Sequence, residues 1–150
     1  MNARTATSLV LRLGVAGIYG ILAAQKIPYH PNTQAIFEDI GGYPAALATV
    51  ALELVAAVLV LVPKTVPIGA LLSMGAMFGA IGTHVLFIGV TVQFPSAADS
   101  TVTESDGGTL FGMAGATLIV SGMVLVMHRR QAVQLLRSVT GSRSQSPMAA

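Results

Sequence analysis

The chain has 150 residues, of which 53% are hydrophobic and only 9% charged, and its mean hydropathy is +0.75. A soluble domain carries about 25% charged residues, so the composition is that of an integral membrane protein. There is no cysteine, which removes disulfides, thiolate metal sites, iron–sulfur clusters and dithiol relays, and the net charge of +2 is informative through its placement.

The first apolar run extends over about residues 8–25, after a short polar start containing Arg4. Its length, and the large Leu22 where a cleavage site wants a small residue, favour a retained helix over a signal peptide. Gly14, Gly17 and Gly20 recur every three residues, and Ala16 with Gly20 forms a small-xxx-small pair. Such a face lets a neighbouring helix approach closely. Lys26 ends the run, and Pro28, Pro31 and Asn32 block its continuation. Residues 27–42 read as a loop with an amphipathic patch, Ile36, Phe37 and Ile40 beside Glu38 and Asp39. That pattern suits a short helix lying at the membrane interface.

Gly41-Gly42-Tyr43-Pro44 turns the chain into a second helix over about residues 44–62, with Pro44 in its first turn. Pro63-Lys64-Thr65 is a tight connection to a third helix over about residues 66–92. Gly75 and Gly79 form a GxxxG pair in it, and Gly69 with Ser73 a second small pair. Residues 93–109 are polar and carry Asp99, Glu104 and Asp106 without a basic residue. Asp106-Gly107-Gly108 reads as a turn, with Thr109 available to cap a fourth helix over about residues 109–127. His128, Arg129 and Arg130 mark the interface, and the tail begins amphipathic and is expected to be disordered after Thr140.

The expected architecture is therefore all-α, a four-transmembrane-helix bundle over residues 1–130 followed by a tail. Arg4, Arg12, Lys64, Arg129, Arg130, Arg137 and Arg143 fall on the side of the termini, and only Lys26 lies opposite. The positive-inside rule then places both termini in the cytoplasm.

Glu53 stands alone near the centre of the second helix. A carboxylate in hydrocarbon is costly, so it faces protein and has a partner. Arg12 and His84 share the apolar part of the chain with it. Counting helix rise from the Lys26 side places Glu53 about 14 Å deep, His84 about 12 Å and Arg12 about 21 Å. Glu53 and His84 are thus candidates at one level, able to exchange protons or to hydrogen-bond a quinone carbonyl, with His84 the donor partner and Arg12 and Lys26 the compensating charges. The competing reading is a charge pair that fixes helix register, and a lipid or ion site is the third. A metal site is disfavoured because His30, Glu38 and Asp39 lack ligand spacing. A bis-histidine haem is disfavoured because His84 is the one histidine at membrane depth and His128 belongs to the opposite interface. The methionines, among them Met74, Met77, Met113, Met123 and Met127, read as packing. No phosphate loop, nucleophile elbow or nucleic-acid motif is present.

Arg12-Leu13-Gly14, Gly20, Lys26, Phe37, Gly41, Pro44, Glu53-Leu54 and His84, with Asp106-Gly107-Gly108 and Leu110-Phe111 further on, resemble the DoxX family of small four-helix membrane proteins over about residues 9–128. The resemblance implies a bacterial inner-membrane protein loosely linked to quinone or sulfur redox chemistry. Relatives are described as subunits of thiosulfate:quinone oxidoreductase or as partners in oxidative-stress complexes. The expected role is an accessory subunit of a quinone-linked redox assembly, not an enzyme on its own, with quinone or bound lipid as the ligand. Its partners would be the lipid bilayer and other membrane subunits or a second copy of itself. Without cysteine, sulfur chemistry would need another subunit. The alternatives are a structural subunit packed against a respiratory or photosynthetic complex, and a small transporter.

Overall fold

The computed structural model describes residues 3–141, and the backbone alone for 139–141. Among the described residues four helices are long and apolar enough to cross a membrane: Ala3–Lys26, Gly42–Leu61, Val66–Ile88 and Thr109–Met127. We label the helices α1 (Ala3–Lys26), α2 (Pro31–Phe37), α3 (Gly42–Leu61), α4 (Val66–Thr83, continued by a π turn over His84–Ile88), α5 (Thr109–Met127) and α6 (Arg129–Gly141). The four-helix bundle is as expected, with α1 one of its spans. In cross-section the spans form a ring: α1 packs on α3 and α5, and α4 packs on α3 and α5.

Helices α3, α4 and α5 are apolar on every side, as lipid-embedded helices are. Inside and outside differ in the share of alanines and hydroxyl-bearing residues. Leu13, Val58, Leu71, Phe78, Leu86 and Ile119 are exposed, toward lipid, whereas Val15, Tyr19, Ala46, Ala56, Val60, Ala70, Met77, Val124 and the hydroxyls of Ser73, Thr117 and Ser121 are buried. Interhelical hydrogen bonds join this interior, since lipid tails compete with apolar contacts but not with hydroxyls. Tyr19 Oη lies 2.6 Å from Ser73 Oγ, which lies 2.7 Å from Ser121 Oγ, linking α1, α4 and α5.

The glycine pattern works differently from the expectation. A methyl group at Gly14, Gly17, Gly20, Gly75 or Gly79 would meet nothing within 4 Å, so these positions do not bring helices of this chain together. Gly69 does. A Cβ there would lie 2.3 Å from the Val60 amide nitrogen, so the start of α4 passes against the end of α3 on bare backbone.

Helix ends carry the other departures. α1 and α3 each begin earlier than expected, at Ala3 and Gly42. The third span stops at Ile88 instead of near Val92, because Gly89 adopts φ +93° and its N–H closes the π turn on the His84 carbonyl at 2.7 Å. The polar segment beyond it is not a featureless loop: β1 (Gln93–Pro95) and β2 (Thr103–Ser105) pair antiparallel with Phe94 opposite Glu104, and β1 packs on α2. Asp106, not Thr109, caps α5. Its carboxylate accepts from the amides of Val92 (2.7 Å), Gly108 (3.0 Å) and Leu110 (3.0 Å), tying the hairpin to the helix start. The tail is helical and amphipathic through Gly141, and the disorder expected after Thr140 falls almost wholly outside the described residues.

Gly69→Ala is expected to destabilise the protein by about 1–3 kcal/mol through overpacking against backbone, whereas Gly75→Ala leaves the midpoint unchanged or slightly raised. Thermal unfolding in detergent, monitored by size-exclusion recovery, distinguishes the two.

Asp106 gives a second test. Partial burial raises its carboxyl pKa, but the amides of Val92, Gly108 and Leu110 and the nearby His84 outweigh this and leave it below the ordinary value. The brace is therefore at full strength above the unfolded value of about 3.9 and is lost as pH falls through the lower folded value. Asp106→Asn should lower stability at neutral pH and flatten the acid limb of a stability–pH curve below about pH 4.

Candidate functional site

Side chains on a helix lean toward its N-terminus. Helices α1 and α3 run in opposite directions, so Lys26 at the end of α1 leans into the bundle while Glu53, midway along α3, leans up toward it. Lys26 Nζ donates to Glu53 Oε1 at 2.5 Å, with side-chain exposures of 14% and 5%. The partner of the buried carboxylate is thus Lys26, not Arg12 or His84. Lys26 is one of the two compensating charges expected; depth counting favours Arg12 and His84 because Lys26 stands at the end of its helix, and a long flexible stem covers the remaining distance.

Arg12 belongs to a different structure. It is 8% exposed, and its guanidinium donates from Nε to the Val60 carbonyl at 2.6 Å and from Nη2 to the Leu61 carbonyl. It closes the C-terminus of α3, where a cation complements both unpaired carbonyls and the helix dipole. Arg4 does the same for α5 through the Met127 carbonyl at 2.7 Å. The terminal face is also clamped by Ser8 Oγ, 2.8 Å from His128 Nε2, and by Gln131, which donates to the Pro63 and Lys64 carbonyls.

The ion pair opens onto a cavity of about 310 Å³. α1 supplies Leu22 and Lys26, α3 supplies Thr49, Leu52 and Glu53, α4 supplies Met77, Ala80, Thr83 and His84, α5 supplies Leu110 and Ala114, and the α2 segment adds Ile36, Phe37 and Ile40. The amphipathic patch expected at the interface is therefore a wall of this cavity, with Phe37 buried. An apolar cleft with a few convergent polar groups is the usual form of a small-molecule site.

Each polar group has a distinct state. Glu53 Oε2 is buried without a hydrogen-bond partner among the described residues, although a buried carboxylate ordinarily uses both oxygens. His84 Nδ1 lies 2.9 Å from the Gly89 carbonyl oxygen. A carbonyl only accepts, so Nδ1 donates to it, and in the tautomer that carries its proton there Nε2 is an acceptor. The ring is held edge-on to Phe111, with centroids 5.7 Å apart. His84 thus shares the cavity with Glu53 but does not donate to it. The π turn sets this orientation, and such turns recur at functional sites. His30, expected to be a loop residue, is exposed at the start of α2.

The family model DoxX matches residues 7–90, more than half of the chain. The chain belongs to the DoxX family. The matched stretch runs from α1 through the π turn and so contains Lys26, Glu53 and His84, while the β-hairpin, Asp106 and α5 lie beyond it. No curated protein and no solved structure matches this DoxX chain.

Removing Lys26 alone would strand a buried carboxylate, a loss of about 3–5 kcal/mol. Lys26→Met should therefore be strongly destabilising. Adding Glu53→Gln to it should restore most of the loss, as measured by unfolding in mixed micelles. A double-variant loss equal to the sum of the losses in Lys26→Met and Glu53→Gln alone would mean that the pair is not energetically coupled.

Proposed function

We propose that this DoxX-family protein is an accessory subunit of a quinone-linked membrane redox assembly, embedded in the bacterial cytoplasmic membrane with both termini in the cytoplasm, and that a quinone head occupies the cavity at Lys26, Glu53 and His84. The observation that carries the reading is the unpartnered Glu53 Oε2 on the wall of a cavity that also holds an ammonium and an imidazole. A carboxylate and an imidazole beside one ligand can take up and return the protons that accompany quinone redox change. The cavity, mostly apolar, suits a ring with an isoprenoid chain leading to lipid. Electrons would pass to or from a partner subunit, since this chain has no cysteine with which to hold an iron–sulfur cluster.

A second reading has its own support. Gly14, Gly17 and Gly20 on α1 and Gly75 on α4 are exposed and have open space where a side chain would be, as has Gly79, which also lines the cavity. Two such faces suit close approach by helices of another subunit or of a second copy. In this reading the protein is a structural subunit, and the ion pair fixes helix register.

A mild-detergent pull-down from native membranes, with extraction of lipids and quinones, tests both. The leading reading expects recovery with redox subunits and stoichiometric quinone, and loss of the quinone with partners retained in Glu53→Gln. Recovery with partners but without quinone in the unsubstituted protein would favour the structural reading. Recovery alone and empty would overturn both.

A further inference from the structure

The cavity has a polarity of its own, because almost every donor on its wall is already used. Thr49 Oγ1 donates to the Ala46 carbonyl at 2.8 Å, and Thr83 Oγ1 donates to the Gly79 carbonyl at 3.0 Å. Each hydroxyl hydrogen is thereby turned into its own helix, and the oxygen keeps its lone pairs. His84 Nδ1 donates to the Gly89 carbonyl, and Glu53 Oε2, on a carboxylate whose other oxygen accepts from Lys26, has no donor aimed at it among the described residues. Four groups from two helices are therefore acceptors. Lys26 alone retains N–H groups, having given one to Glu53.

We infer that the cavity selects a neutral amphiphile whose head donates at least two hydrogen bonds, a hydroxyl-bearing head on an apolar body, over the same molecule with carbonyls in place of hydroxyls. The physical reason is the asymmetry of buried hydrogen bonding. A donor head satisfies Glu53 Oε2 and His84 Nε2 together, whereas an acceptor-only head leaves both unsatisfied and places oxygen lone pairs against a carboxylate. Two sources offer this chemistry in a bacterial membrane: a hydroquinone, and a lipid with a free glycerol head. The inference rests on the cavity being the ligand site and adds the hydrogen-bonding sense of that site. For a quinone couple the consequence is that the reduced form is the one held.

The test uses the full chain in nanodiscs of phosphatidylcholine, whose head has no hydroxyl donor. Anaerobic binding of a decyl benzoquinol is compared with binding of its oxidised quinone, and of monoolein with its di-O-methyl ether. The donor form of a pair should bind at least about tenfold tighter, the order set by one hydrogen bond to a charged group. Glu53→Gln and, in case that variant fails to fold, Thr83→Val and His84→Phe should each narrow the ratio toward one. Tighter binding of the quinone, or equal binding of both members of both pairs, overturns the donor preference while leaving the cavity as a ligand site. Preference for monoolein over its ether, with neither quinone form bound, upholds the donor preference and overturns the quinone reading. Absence of binding by all four probes overturns both.

Discussion

A carboxylate held inside a bilayer fixes the position of its countercharge more strictly than any apolar contact can, because lipid offers it neither water nor mobile ions. Here the countercharge is Lys26, which is also the last residue of α1. The pair ties the end of α1 to the middle of α3, while Arg12 ties the middle of α1 to the end of α3 through the Val60 and Leu61 carbonyls. Two cations about four helical turns apart on one helix thus grip a single partner helix at two levels, and the antiparallel register between them follows. Buried ion pairs are weak sources of net stability but strong specifiers of arrangement when one partner cannot be left alone.

The remaining helices are placed by a different kind of contact. Helix α4 approaches α3 through Gly69 on bare backbone, and α4 meets α1 and α5 through the Tyr19, Ser73 and Ser121 hydroxyls. The cavity lies where the two systems meet, walled by charged groups from α1 and α3 and by His84 from the π turn of α4. His84 leaves α4 with ordinary helical φ and ψ, and what the irregular turn adds is the Gly89 carbonyl that holds Nδ1, at a glycine with φ +93°. The hairpin and Asp106 brace the far end of this irregular segment through the Val92 amide.

How much of this is readable from residues alone divides along physical lines. Spans are legible because length and hydropathy are local, and Glu53 and His84 stand out because ionisable groups are rare within them. The pairing of Glu53 with Lys26 is not legible by depth counting, which measures where a residue's backbone sits and not where a long side chain reaches. Helices α3, α4 and α5 are apolar all round, so periodicity gives no face and the ring order stays open. Glycine spacing is ambiguous for the same reason: Gly75 and Gly79 fit a packing motif as well as Gly69 does, yet only Gly69 meets a helix of this chain. The β-hairpin escaped because strands of three residues carry too little alternation to read.

The orphan oxygen of Glu53 and the acceptor nitrogen of His84 point in one chemical direction although they arise from unrelated causes. The first follows from a single ammonium having to serve a two-oxygen carboxylate across helices, the second from a π turn that uses up the ring proton. Thr49 and Thr83 add two more acceptors for the ordinary reason that a hydroxyl inside an apolar helix donates to the carbonyl a turn behind it. A cavity meant only to be empty space between helices would be lined by apolar side chains, as dry cavities are. This one holds Glu53 Oε2, buried without a hydrogen-bond partner among the described residues, beside two threonines and a histidine. Its unmet demand is for hydrogen-bond donors, and in the hydrocarbon region the donors must come from a lipid-soluble molecule or from water drawn in beside it.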